Sequence, residues 1–265
     1  MILTEKAIVK KYVLYTYGIF IILLMLTGLQ MIVLPNEVLL WMMKTICSWA
    51  PTFAVLFLFE KMYPGITKKS KWKVWFSGKI SVKVISVVCM IQIALFIVAI
   101  EMTAIFRNME FTELLNVSVS AFLYAFINSL LSGATGEEVG WRGYLQPTLE
   151  KKYGVIKGSI VVGLIWGFWH APLWFISGEY SGMDLVKYIV FFMLFITSTA
   201  VIIGITYEKN RNLFVPMFIH FWVNFTLAFV KDKLLDVVMF IAIGYFIFAL
   251  IMVGCYGKNR VCKVQ

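Results

Sequence analysis

Two carboxylates and a guanidinium stand together at Gly136-Glu137-Glu138-Val139-Gly140-Trp141-Arg142-Gly143, inside a sequence that is otherwise almost continuously apolar. A charged side chain held at bilayer depth costs about 2.5–3.5 kcal/mol on insertion scales, so such residues imply both a function and a partner. Arg142 is the partner for Glu138, four residues on and in the favourable orientation for a helix. The chain has two histidines, and both also fall in apolar runs. Trp166 precedes His170 by one helical turn, and Asn224 follows His220 by one turn. Two imidazoles, two carboxylates and a carboxamide, without a nucleophilic cysteine or a well-placed serine, suit activation of water rather than covalent catalysis.

Roles follow from these chemistries. Glu137 is the expected general base, with His170 holding the attacking water or a metal. Glu138 and Arg142 form the expected orienting ion pair. His220 and Asn224 are expected to polarise the scissile carbonyl and hold the oxyanion, at about 3 kcal/mol per donor in comparable sites. A zinc ion on His170, His220 and Glu137 with an open water position is feasible by ligand count. The H-E-x-x-H pattern of soluble metalloproteases is absent, so metal-dependent and glutamate-only mechanisms both stay open.

The elements that must position these groups are membrane spans. With 61% hydrophobic and 14% charged residues and a mean hydropathy of +0.87, the 265-residue chain lies far outside the range of soluble domains. It reads as one integral all-α domain over residues 1–265, without linker, repeat or disulfide framework. Its cysteines, Cys47, Cys89, Cys255 and Cys262, are too scattered for a metal cluster and read as packing residues or a free tail thiol. Spans are expected at about Val13 to Leu34, a second run to Phe59 that Pro51 can kink, and Val84 to Phe106, with Glu101 interfacial near its far end. Five more follow at Val117 to Gly136, Ile156 to Phe175, Leu185 to Tyr207, Leu213 to Val230 and Val237 to Tyr256. The first run is too long for a signal-peptide core and lacks a cleavage site.

Charge sets the expected orientation. Nineteen of the 24 lysines and arginines lie in the N-terminus, the 60–83 loop, the 142–157 region, the 208–212 turn and the tail. Three, Arg107, Lys231 and Lys233, lie in the segments between, and Lys44 and Lys187 fall in or beside spans. The positive-inside rule then makes the chain a multi-pass cell-membrane protein with both termini cytoplasmic. The net charge of +10 is explained by that arrangement without a nucleic-acid partner. If the chain reverses at Lys152-Tyr153-Gly154, Glu137 and His170 face each other across a hairpin. That predicts an inward-facing polar cavity in the inner half of the bilayer, reached from the cytoplasm.

Glu137-Glu138-x-x-x-Arg142, Trp166-x-x-x-His170 and His220-x-x-x-Asn224 together resemble the three signatures of the CPBP (Abi) family of intramembrane proteases. That family includes type II CAAX prenyl endopeptidases and bacteriocin-processing or self-immunity proteins. The resemblance covers about Val117 to Val230 and implies an eight-helix bundle with an internal cavity. One departure is Trp166, where the family usually has Phe; a large aromatic is kept, so the expected effect is on packing. A chain rich in Ile, Lys and Met with short loops reads as bacterial, where prenylated CAAX proteins are not the expected substrate. The expected activity is therefore proteolysis of a peptide or membrane-protein segment, in leader processing or bacteriocin immunity. The rival reading is a non-catalytic immunity or scaffold protein that binds a peptide in the same cavity. A transporter is disfavoured by the absence of paired repeats.

Overall fold

The protein's structure, a computed structural model, describes residues 4–176, 178–231 and 235–261. Among these residues every regular element is a helix, and Leu115 and Val230 form an isolated bridge. Five helical stretches are long and apolar enough to cross a bilayer, and the bent pair at 37–62 makes a sixth. The chain is a polytopic all-α membrane protein, because helices satisfy their own backbone polar groups where no water can.

All eight expected segments are helical, and the departures from straight spans are what build the site. α1 (Glu5–Val33) is capped by the Thr4 hydroxyl and crosses unbroken. The second segment divides into α2 (Glu37–Ser48) and α3 (Ala50–Met62), bent by 47° at Trp49, where Pro51 in the first turn of α3 has no N–H to continue the ladder. The lysine-rich loop contains the short α4 (Lys68–Trp75), and α5 (Val82–Arg107) follows, with Glu101 exposed near its far end.

The fourth segment is broken. α6 (Val119–Ser129) runs into a wide turn at 130–134, where Ser132 (φ −100°, ψ 114°) and Gly133 (φ 96°, ψ −85°) leave helical geometry before α7 (Thr135–Gly140) restarts. The positive φ is why a glycine stands at 133. A second wide turn, Trp141–Leu145, leads into α8 (Gln146–Trp169), which reverses at Gly154 (φ 75°). The bonds Gln146 to Ser159 (2.8 Å) and Trp166 to Glu137 (2.6 Å) hold its two arms antiparallel. The reversal lies where the sequence places it, but Glu137 faces Trp166, one turn short of His170.

After α9 (Ala171–Ile176), α10 (Gly182–Asn210) crosses fully, α11 (Phe214–Leu227) spans 14 residues, and α12 (Leu235–Val261) closes the bundle. At 1.5 Å per residue α11 covers about 21 Å, less than a bilayer core, and His220 on it is buried. One apolar core joins α5, α10, α11 and α12 through Ile100, Ile202, Ile219 and Tyr245. A second joins α1, α3 and α8 through Tyr12, Phe20, Val55 and Trp166. The site lies on the seam between them. Cys47 and Cys89 are buried free thiols and Cys255 an exposed one; Cys262 and Lys233 lie outside the described residues.

The two ends of the bundle differ in charge. The start of α1, the loop from α3 to α5, the Gly154 turn and the end of α10 share the lysine-rich end. The end of α1, the start of α2, the end of α5 and the starts of α10 and α12 share the other.

Candidate active site

Glu137 and Glu138 are adjacent in α7 and both buried, yet their environments differ. Glu137 Oε2 accepts the indole N–H groups of Trp141 (3.0 Å) and Trp166 (2.6 Å). Glu138 Oε1 accepts Arg142 Nη1 (2.9 Å) and the His220 Nδ1–H (2.8 Å), with Arg142 fully buried. The expected Glu138–Arg142 pair is therefore present at the four-residue spacing, and His220 joins it from α11. A buried pair of this kind is stable only when its remaining charge is also matched.

Each imidazole has its Nδ1 committed. His170 Nδ1 lies 2.9 Å from the Trp166 carbonyl, which can only accept, so that nitrogen carries a proton, and in the neutral imidazole Nε2 then keeps its lone pair. His220 turns Nδ1 to Glu138 and Nε2 towards Gly133. A methyl carbon placed on Gly133 would lie 3.4 Å from His220 Nε2, 3.4 Å from Glu137 Oε1 and 2.6 Å from Asn224 Nδ2. Base, imidazole and carboxamide thus converge on one point beside a residue without a side chain. His170 lines the same cavity from the end of α8.

Trp166 ties the constellation together. Its indole bonds Glu137, its ring centroid is 5.0 Å from that of His220 and 4.7 Å from the Arg142 guanidinium carbon, and its carbonyl holds His170. The expectation that Trp166 changes only packing is corrected: phenylalanine has no N–H to give Glu137. The second half of the brace comes from α2 and α3. Ser48 Oγ accepts the Gly133 N–H (3.1 Å), Thr45 and Ser132 share a bond (2.8 Å), Trp49 donates to the Leu131 carbonyl (3.0 Å) and Thr52 to the Gly136 carbonyl (2.6 Å). The broken stretch before Glu137 has lost helical bonds, and these side chains replace them. Sequence reasoning missed Ser48, Gly133 and Trp141. The Ser-Gly pair inside a helical run signals the break, whereas Ser48 lies 85 residues away with no local signal.

Among the described residues no three His, Cys, Asp or Glu side chains are grouped to hold a metal. The expected set of His170, His220 and Glu137 is not gathered: among the described residues these three side chains form no group close enough to share a metal. As placed, these residues do not fit a zinc ion.

The convergence point opens into a cavity of about 1500 Å³. Its walls run from Ser48, Gly133 and His220 past Leu24 and Met31 of α1 to Tyr188 of α10 and Val237 of α12. All of these lead away from the lysine-rich end. On the other side, buried Tyr12, Trp141 and Tyr144 pack edge to face (6.1 and 5.0 Å between centroids) and close the route. A separate hollow at the lysine-rich end, about 640 Å³, includes none of the six candidate residues. The lining of this cavity includes no residue of the lysine-rich end, which corrects the expected access from that end.

Comparison with known proteins agrees with the site. Residues 118–226 match a family model described as type II CAAX prenyl endopeptidase Rce1-like. The "CAAX prenyl protease 2" of Methanococcus maripaludis is 36% identical over 99 residues, which is 36% of this chain and 36% of that protein. The alignment therefore spans about a third of the curated relative. All six candidate residues fall within 118–226, so the stretch that carries the site is the stretch similar to type II CAAX prenyl endopeptidases.

Proposed function

We propose that the chain is an intramembrane endopeptidase that hydrolyses a peptide bond with water activated by Glu137. The observation behind this reading is the convergence of Glu137 Oε1, His220 Nε2 and Asn224 Nδ2 on one point at the floor of a cavity large enough for a peptide. Glu137 takes a proton from the water as it attacks the carbonyl carbon. The oxygen of the tetrahedral intermediate accepts hydrogen bonds from Asn224 Nδ2 and from His220 Nε2–H. Glu137 then returns the proton to the leaving nitrogen as the C–N bond breaks.

Charge balance supports these roles. Glu137, Glu138 and Arg142 together carry one net negative charge, and an imidazolium at His220 brings the buried cluster to neutrality. A neutral cluster avoids the cost of an unmatched charge in low dielectric. It also supplies the Nε2–H that an oxyanion needs. His170, with its Nε2 lone pair free, accepts a hydrogen bond from the attacking water.

The curated relative is named for prenylated CAAX substrates, whereas the substrate favoured here is a peptide or membrane-protein segment, in leader processing or bacteriocin immunity. Glu137→Gln keeps the shape and removes the base. Purified protein in detergent, assayed on a quenched fluorescent peptide library, should lose all cleavage in this variant while inserting and purifying normally. Unchanged function of Glu137→Gln in cells, with no cleavage by the wild type, would instead establish the non-catalytic peptide-binding reading.

A further inference from the structure

Two independent observations bear on which side of the membrane the substrate comes from. The first is the course of the cavity. It descends from the end of the bundle formed by Met31, Tyr188, Val230 and Val237 to the convergence point at Gly133. Tyr12, Trp141 and Tyr144, all buried, shut it off from the other end. The second is the distribution of charge. The sealed end carries the 60–83 loop, the Gly154 turn with Lys151, Lys152 and Lys157, and the start of α1 with Lys6, Lys10 and Lys11. The open end has Arg107, engaged with Asp236, Lys187, engaged with Asp184, and the exposed Lys231 among the described residues. Cytoplasmic segments accumulate lysine and arginine because translocating them is unfavourable.

We infer that the cavity opens to the extracytoplasmic side and admits an apolar peptide segment presented there, not a chain arriving from the cytoplasm. The apolar character follows from the walls: Phe20, Leu24, Met25, Leu173 and Phe192 line the descent, and among the described lining residues Lys44 is the one lysine or arginine. A soluble, highly charged peptide would leave its hydration on entering such a channel without recovering it. A secreted apolar peptide, or the outer end of a membrane-spanning segment, loses little. This substrate class rests on the hydrolase reading; the sidedness of the cavity does not.

The test separates the two. In a variant whose four cysteines are replaced by alanine, single cysteines are introduced as Met31→Cys at the cavity mouth and Lys69→Cys in the lysine-rich loop. Intact cells are treated with a membrane-impermeant maleimide. The expected result is labelling of Met31→Cys in intact cells and of Lys69→Cys only after lysis, a difference of at least about tenfold. The reverse pattern overturns the inference. Fusion of a fluorescent protein to the C-terminus of the unmodified chain gives a second readout that does not depend on the cysteine-free background: fluorescence is expected, and its loss in a fully inserted fusion overturns the assignment. Right-side-out vesicles should then cleave an added apolar peptide and inverted vesicles should not. Cleavage by inverted vesicles alone overturns the inference. If labelling and fluorescence are as expected and neither vesicle type cleaves, the sidedness stands and the hydrolase reading fails.

Discussion

The indole nitrogen of Trp166 lies 2.6 Å from Glu137 Oε2, across the α8 hairpin and 29 residues along the chain. With Trp141 on the same oxygen, it fixes the carboxylate so that Oε1 alone faces the convergence point. Hydrogen bonds to a charged group contribute about 1.5–3 kcal/mol. Trp166→Phe keeps an aromatic ring, though a smaller one, and removes the bond. Cleavage should fall by about ten- to a hundredfold, the range that energy implies, with the loss in kcat and little change in KM. Trp166→Ala, which also removes the surface against His220 and Arg142, should be worse and should lower thermal stability.

The neighbouring carboxylate should respond in a different way. Glu138→Gln leaves Arg142 buried without a counter-charge, which costs about 3–5 kcal/mol in comparable sites. A marked fall in melting temperature in detergent is expected for Glu138→Gln and little change for Glu137→Gln. Equal melting temperatures would show that the two acids do not divide structure and chemistry between them.

Gly133 is expected to tolerate no side chain. In Gly133→Ala the added carbon would sit 2.6 Å from Asn224 Nδ2 on a backbone at φ 96°. The backbone strain alone costs about 1–3 kcal/mol, and the methyl occupies the space where the reacting carbonyl must lie. Loss of cleavage is expected even in protein that folds, measured by turnover per inserted molecule.

Ser48 positions the broken stretch through the Gly133 amide. Ser48→Ala leaves that amide without its acceptor, at about 1–3 kcal/mol. A fall in kcat of roughly tenfold or more with KM nearly unchanged is expected. Ser48→Thr, which retains the acceptor oxygen, should recover most of the rate; a purely structural role would shift stability without that kinetic split.

Chelation gives a fifth measurement. Because His170, His220 and Glu137 are not grouped as ligands, cleavage should survive dialysis against a strong zinc chelator with its rate unchanged. Loss of activity that added zinc restores would show that these side chains regroup around a metal.

Much of this architecture was legible in the sequence, for identifiable reasons. Hydropathy runs gave the eight segments because backbone polar groups leave few options in lipid. The Glu138–Arg142 pair was readable because it is local, four residues apart on one helix. The reversal at Gly154 was readable from a cluster of charged residues closed by a glycine. The meeting of His220 with Glu138, 82 residues apart, followed only from their shared expense in an apolar setting. The direction of the cavity was not legible, because it depends on which stretches of α1, α9, α10 and α12 come together to line it, a matter of long-range packing. Nor was the indole bond to Glu137, since a register shift of one turn decides whether Trp166 or His170 faces the acid.

The clamp on the broken helix comes from residues 45–52, while the stretch that resembles CAAX proteases begins at 118. A graft of the signature region alone into a foreign scaffold would arrive with its base unmoored. Any transplant that works must carry the Thr45–Thr52 elbow as well, because side chains on it hold the stretch that leads to Glu137.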